Sequence, residues 1–123
     1  MQTLPDLSKW KLLPELQDKA RAFLTTAADK GFSLRITQGL RTMEEQAKLY
    51  AQGRTTPGKI VTHAKPGESK HNFGKAFDVC FTGKDPYPTD DKKWKDIADI
   101  GNSLGLTPGY YFKSFQDKPH FQI

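Results

Sequence analysis

The sequence predicts an α+β domain in which a small antiparallel sheet packs against about three helices. Residues 14–30 and 94–104 carry apolar side chains at helical spacing, and a third helix is indicated by the capping pattern at Thr42. Residues 76–81 alternate in the manner of a strand. Because the chain has 123 residues and shows neither repeats nor linkers, we expect residues 1–123 to form one domain.

The first half of the chain is predicted to run helix, strand, helix. Pro14 suits the first turn of a helix that extends to Lys30 and stops at Gly31, and its core-facing residues are Leu16, Ala20, Phe23, Leu24 and Ala27. Residues 32–37 alternate and are expected to form a strand. The second helix starts at Thr42, where Thr42-Met-Glu-Glu fits a capping box, and stops at Gly53.

The second half begins with a long loop. Residues 54–70 show little periodicity, and a loop of that length in a small domain is usually functional or mobile. A strand follows at residues 76–81, and then a helix that is capped near Thr89 or Asp90. Residues 110–112 and 121–123 are expected to be closing strands.

Composition narrows the class of protein. Hydrophobic residues make up 36% of the chain and no apolar run approaches the ~20 residues of a membrane span. The net charge of +5 favours encounter with polyanions, but the basic residues are spread along the chain without a recognition module, so we expect no nucleic-acid partner. A single cysteine and an N-terminus without secretory features lead us to expect synthesis in a reducing cytosol without a signal peptide.

Two short motifs hold most of the groups that could bind a metal. The first runs Ser69-Lys-His71-Asn-Phe-Gly-Lys-Ala-Phe-Asp78, and the second is Asp117-Lys-Pro-His120. A carboxylate within an apolar strand is costly unless it is paired, so Asp78 needs either a metal cation or a buried Lys or Arg. His71, Asp78 and His120 would leave one zinc position open, as catalytic sites do. Asp117 would then be the spare carboxylate that takes a proton from water.

Two further candidates are expected to stay outside this site. Cys80 lies two residues beyond Asp78 along the strand, about 6.6 Å away, which is too far for both to reach one ion. We therefore interpret Cys80 as a core residue. His63 lies in the long loop without a ligand-like neighbour, so surface exposure is expected, with a remote role at a cleft rim as the alternative.

The pattern S-x-H-x-x-G-x-A-x-D followed by D-x-x-H resembles that of the M15 (VanY-like) zinc peptidases, and most of all the small phage endolysins that cut the L-alanyl-D-glutamate bond of peptidoglycan. The likeness covers roughly residues 35–123. It implies a Hedgehog/D,D-peptidase-like fold, Zn²⁺ bound by His71, Asp78 and His120, and Asp117 as general base. We further expect one zinc peptidase catalytic domain over residues 1–123, with no separate wall-binding module.

A third segment, residues 36–50, resembles the part of the family in which an arginine precedes a helix that carries a glutamine. Arg41 is thereby implied to contact the substrate or its oxyanion, with Gln46 supporting it. The sequence leaves open whether Arg41 stabilises an oxyanion, clamps a substrate carboxylate or forms a surface ion pair. It likewise leaves open whether Ser69 hydrogen-bonds a ligand or caps the turn. Residues 107–112 depart from the family's Trp-Gly-Gly-x-Trp stretch.

The function that the resemblance implies is that of a phage or prophage endolysin: a monomeric zinc endopeptidase whose partner is the peptidoglycan stem peptide. Such an enzyme would be made in the bacterial cytoplasm and would reach the wall after release by another factor. The alternatives are a D,D- or L,D-carboxypeptidase of the same family, a non-catalytic wall-binding module, or a zinc-stabilised interaction domain. Asp117 argues against the last two, because a structural zinc site has no use for a base.

Overall fold

A computed structural model describes residues 6–123. In chain order it contains three α-helices and four strands: α1 (Pro14–Asp29), β1 (Leu34–Gln38), α2 (Met43–Ala51), β2 (Ala76–Phe81), α3 (Asp91–Ser103), β3 (Thr107–Pro108) and β4 (His120–Gln122). Three short 3₁₀ helices, Ser8–Trp10, Lys70–Phe73 and Gly109–Tyr111, connect them. No helix within these residues is long and apolar enough to cross a membrane.

The sheet is antiparallel throughout, with the strand order β1-β2-β4-β3. The two central strands are therefore β2 and β4, and their register pairs Asp78 with His120. The register between β1 and β2 shifts after Ile36, so that Gln38 pairs with Asp78. The predicted α+β class is confirmed.

The core lies where α1 and α3 meet the sheet. The ring of Phe23 from α1 lies 4.5 Å from that of Phe121 and 6.0 Å from that of Phe77, measured between centroids. Trp94 of α3 packs edge to face on Phe81. All of these side chains are buried, and burying a large apolar side chain stabilises a fold by roughly 1.5–3 kcal/mol. The sheet is thereby held rigidly from one face.

Local signals predicted several element ends. The capping box is present, since Thr42 Oγ1 accepts from the Glu45 N–H and Glu45 Oε1 accepts from the Thr42 N–H. Gly31 takes a φ of +92° just after α1, which suits the glycine stop. Asp90, one of the two proposed caps, accepts from the Lys92 N–H at the start of α3.

Three strand predictions were wrong in their bounds or type. The last strand, expected at residues 121–123, is His120–Gln122. The first strand begins at Leu34 instead of Phe32, because the Phe32 N–H bonds back to Ala27 O at 2.8 Å and closes the end of α1. Residues 110–112 are not a strand. Tyr110 and Tyr111 belong to the 3₁₀ helix Gly109–Tyr111 and Phe112 follows it, while the pairing with β4 comes earlier in the chain, at Thr107–Pro108.

The long loop is present, as predicted, and contains no helix or named strand between Gln52 and Ser69. Hydrogen bonds tie it to α2: Gln46 Nε2 donates to Ala64 O at 2.8 Å and Arg54 Nη1 donates to Tyr50 O. The end of the loop leads directly into the 3₁₀ helix Lys70–Phe73. The loop is therefore anchored to α2 and continues directly into this 3₁₀ helix.

Candidate active site

Three separate segments deliver the three predicted ligands. Asp78 projects from the middle of β2, and His120 is the first residue of β4 and its direct cross-strand partner. His71 lies in the 3₁₀ helix Lys70–Phe73, which Ser69 caps by accepting the His71 N–H at its hydroxyl. Gly74 ends that helix with a φ of +68°, a conformation that glycine adopts without strain, and the chain turns into β2.

The three side chains meet in a compact triangle. His71 Nε2 lies 3.1 Å from Asp78 Oδ1 and 3.2 Å from His120 Nδ1. The third side, from His120 Nδ1 to Asp78 Oδ1, is 3.2 Å. Tetrahedral zinc with bonds of about 2.0–2.1 Å separates its ligand atoms by about 3.4 Å, so the observed spacing fits a zinc ion.

The outer nitrogens of both histidines are already engaged. His71 Nδ1 lies 2.9 Å from Gly39 O, and His120 Nε2 lies 2.8 Å from Gln122 Oε1. Since both partners are acceptors, each of these nitrogens carries a proton, and in the neutral imidazoles the inner nitrogens are left with lone pairs. Two such lone pairs and a carboxylate that face one another repel unless a metal cation or a proton lies among them. The donor set therefore fits a metal, and its outer hydrogen bonds are those that orient metal-binding histidines.

The electrostatics point the same way. Burial opposes ionisation of Asp78, but contact with the imidazoles of His120 and His71 keeps the pKa of this carboxyl far below its usual value. Burial also opposes a charge on His120, yet the neighbouring Asp78 carboxylate raises the pKa of that imidazole. Asp78 thus stays ionised, and the cluster attracts positive charge. Its partners are the two histidines, not a buried Lys or Arg.

Asp117 lies next to the triangle without being part of it. Its Oδ2 is 3.9 Å from His120 Nδ1, longer than any side of the triangle. The backbone holds it there: the Asp117 N–H donates to Gly109 O at 2.9 Å, and the His120 N–H donates to Asp117 O at 3.1 Å. Burial and the nearby Asp78 raise the pKa of the Asp117 carboxyl. A carboxylate with a raised pKa is a better proton acceptor.

Arg41 reaches the same cleft from the end of β1. Its backbone N–H donates to His71 O at 2.9 Å, and its Nη1 donates to Gln46 Oε1 at 2.8 Å. Gln46 is fully buried and fixes the guanidinium from behind. The Arg41 Nε is buried and has no hydrogen-bond partner among residues 6–123. Burial lowers the pKa of Arg41 while Asp78 and Asp117 act to raise it, so a cation faces the two carboxylates.

These groups line one cleft of about 520 Å³. Six of the seven predicted site residues border it: Arg41, Ser69, His71, Asp78, Asp117 and His120. The seventh, Gln46, is buried behind Arg41. His63 also lines the cleft although it is exposed, and its ring contacts Phe115. Cys80 is fully buried in the core and does not border the cleft, as expected.

Sequence reasoning missed several supporting groups. Gln122 holds His120, and its position two residues along the same strand was a readable signal, because such residues share a face. Gly39 O and Gly109 O act through their backbones and leave no side-chain signal. Phe115 reaches the cleft from a segment with no regular structure.

This chain resembles known proteins in both sequence and fold. Residues 9–117 match the family model of VanY, described as D-alanyl-D-alanine carboxypeptidase. The chain belongs to the VanY family. It is 38% identical over 122 residues to the peptidoglycan L-alanyl-D-glutamate endopeptidase CwlK of Bacillus subtilis (strain 168), across 91% of this chain and 73% of CwlK. The predicted family is therefore confirmed.

Solved structures of VanY-like enzymes confirm the fold. The Serratia marcescens L-Ala D-Glu endopeptidase ChiX superposes with a TM-score of 0.67 at 22% identity, over 91% of this chain and 80% of ChiX. The D,D-pentapeptidase VanY of a VanB-type resistance cassette, solved with Zn(II), gives 0.71 at 16% identity over 90% and 71%. The LD-carboxypeptidase LdcB gives 0.68 at 25% identity over 90% and 64%.

Proposed function

We propose that this VanY-family chain is a zinc-dependent endopeptidase that hydrolyses the L-alanyl-D-glutamate bond of the peptidoglycan stem peptide. The observation that carries the proposal is the triangle of His71, Asp78 and His120, with Asp117 beside it in one cleft. The family supports a zinc peptidase, and the 38% identity with CwlK supports this particular bond.

In the proposed mechanism, His71, Asp78 and His120 hold the metal. A bound zinc supplies Lewis-acid polarisation of the scissile carbonyl and lowers the pKa of water towards ~7. The carboxylate of Asp117 accepts the proton of the attacking water and passes it to the leaving amine. Arg41 borders the cleft with its guanidinium held by Gln46, so this cation is available to a substrate oxygen, either an oxyanion or a carboxylate.

Gln46 and Ser69 act less directly. Gln46 accepts from Arg41 Nη1 and donates to Ala64 O, so it fixes the guanidinium relative to the long loop. Ser69 borders the cleft, and its hydroxyl accepts the His71 N–H. This bond favours the capping interpretation of Ser69, which orients His71 and leaves the hydroxyl proton free for a substrate acceptor.

Digestion of purified peptidoglycan tests the proposal. We expect new L-alanine carboxyl termini and D-glutamate amino termini in equal amounts, and we expect o-phenanthroline to stop their release. A carboxypeptidase, which the name of the family model favours as the second candidate, would instead release single D-amino acids from the end of the stem. Wall binding without any new termini would identify a non-catalytic module and would overturn both enzyme proposals.

The biological setting is part of the same proposal: a monomeric phage or prophage lysin that is made in the bacterial cytoplasm and acts on the wall after release. Expression in intact cells should leave their turbidity unchanged, and permeabilising the cytoplasmic membrane should cause rapid lysis. Lysis of intact cells without permeabilisation would contradict the need for a release factor. Sedimentation of the purified protein would test the monomer.

A further inference from the structure

Two loops that border the cleft touch through a pair of aromatic rings. His63 lies in the long loop and Phe115 lies between β3 and β4, two residues before Asp117. Their ring centroids are 4.6 Å apart at an interplanar angle of 74°, an edge-to-face geometry that is attractive between aromatic rings. Both residues line the cleft. We refer to His63 and Phe115 as the aromatic clasp.

Hydrogen bonds connect the aromatic clasp to the groups that we assign to catalysis. The residue after His63 is Ala64, whose carbonyl accepts from the buried Gln46 at 2.8 Å. Gln46 in turn holds Arg41 at 2.8 Å. On the other side, Phe115 belongs to the segment whose backbone positions Asp117. The aromatic clasp is thus a side-chain link between two segments. One is the long loop, which Gln46 holds at Ala64, and the other is the segment that carries Asp117.

The His63 side chain has few interactions besides its contact with Phe115. It is exposed, makes no hydrogen bond or ion pair among the described residues, and lies in a loop without regular structure. An exposed ring on a cleft wall does little for the core. It can, however, hold the two loops that form this part of the cleft wall at a fixed separation.

We propose that the aromatic clasp determines substrate binding by holding the long loop and the Asp117 segment together along the cleft. This inference rests on the proposed peptidase function. His63 and Phe115 are positioning residues, because neither lies among the reacting groups. The contact should therefore affect the affinity for the stem peptide, while zinc binding and the chemical step should be unaffected.

Kinetics on a soluble stem peptide test the aromatic clasp. His63→Ala should raise KM about two- to tenfold, the range that an aromatic pair accounts for, with kcat and zinc content unchanged. Phe115→Ala should do the same, and the double variant should be no worse than either single variant because both remove one interaction. His63→Phe should restore the wild-type KM. Tyr87→Ala, which removes an exposed aromatic ring that stacks on Trp94 outside the cleft, is the matched control and should change neither KM nor kcat.

Three outcomes would overturn the proposal: an unchanged KM in His63→Ala, additive losses in the double variant, or failure of His63→Phe to rescue. Tryptic cleavage after the exposed Lys59 gives a readout that does not depend on activity. His63→Ala should accelerate that cleavage by freeing the loop, and His63→Phe should not. If the wild-type protein cleaves no wall bond, the proposed function fails, and the proteolysis result still decides whether the two loops are linked.

Discussion

The side chain of Asp117 differs from the three proposed ligands in its distance from them. Its Oδ2 stands 3.9 Å from His120 Nδ1, whereas the inner donor atoms lie 3.1–3.2 Å apart. At this separation Asp117 can exchange a proton with a water in the cleft without competing for the metal. Its contribution should therefore be separable from metal binding by substitution.

Asp117→Ala should leave zinc bound and lower the rate of wall digestion by ~10²–10⁴-fold, the usual cost of losing general-base help. Asp117→Asn should behave in the same way, since an amide keeps the shape but cannot accept the proton. Zinc content, melting temperature and digestion rate are to be measured on one preparation. Wild-type turnover in a folded, zinc-loaded Asp117→Ala protein would remove Asp117 from the mechanism.

Two of the three histidines that border the cleft, His120 and His63, make a matched pair of variants. His120→Ala removes one corner of the donor triangle and should abolish both stoichiometric zinc binding and activity. His63→Ala, in the same cleft but outside the triangle, should retain one zinc per chain and near-native turnover at saturating substrate. Elemental analysis after gel filtration measures both. Loss of zinc from His63→Ala would show that the ligand assignment is wrong.

At the scale of elements, Gly109 at the start of the β3–β4 connection holds the end of that connection, which carries the proposed base Asp117 and leads into the proposed ligand His120. A Cβ atom on Gly109 would lie 2.2 Å from Asp117 O and 3.0 Å from His120 Cβ. Both distances are too short, and the nearer atom belongs to the backbone. A side chain at this position must displace the turn that carries Asp117 and His120.

Gly109→Ala should accordingly weaken zinc binding and lower activity, while α1 and α3 keep the core folded. Gly83→Ala is a suitable control: its added Cβ meets nothing within 4 Å, although its φ of +97° strains any side chain. The control should lose some stability, of the order of 1 kcal/mol, without a change in zinc affinity. Equal zinc affinities in the two variants would contradict the steric argument. Zinc titration and thermal melts on both proteins provide the comparison.

How well an element was predicted depended on how local its determinants are. The alternation in Ala76–Phe81 and the capping box at Thr42 are encoded within a few neighbouring residues, and both lie where expected. The 3₁₀ helix Gly109–Tyr111 was mistaken for a strand because its conformation depends on Gly109 meeting the Asp117 backbone. The two motifs indicated which residues gather at the site. The sequence could not show that His63 contacts Phe115, since a loop's path is decided by distant contacts.

At the scale of the whole molecule, the donor triangle joins segments that are distant along the chain. Asp78 and His120 are 42 residues apart, and His71 and His120 are 49 apart. A metal ion that binds only when all three side chains have come together stabilises the folded state. The stabilisation is ~4 kcal/mol when the concentration of free metal is a thousandfold above its Kd. Metal binding and global stability should therefore be coupled.

Removal of zinc with EDTA should lower the melting temperature and stop wall digestion, and added zinc should restore both. The physical reason is that without a cation two imidazole lone pairs and a carboxylate face one another inside the fold. His120→Ala is the control, because EDTA should not alter its melting temperature. Full activity in protein that elemental analysis shows to be metal-free would refute the zinc assignment.

The pairing of Asp78 with His120 on the two central strands has a consequence for refolding. A slip of β4 by one residue would turn His120 towards the core and Phe121 towards the cleft, because successive side chains point to opposite faces. The same slip would therefore destroy the donor triangle and remove Phe121 from its contacts with Phe23 and Phe77. Under the proposed zinc assignment, zinc stoichiometry would report strand alignment, and the fraction of correctly paired molecules in a refolded batch could be counted by their metal.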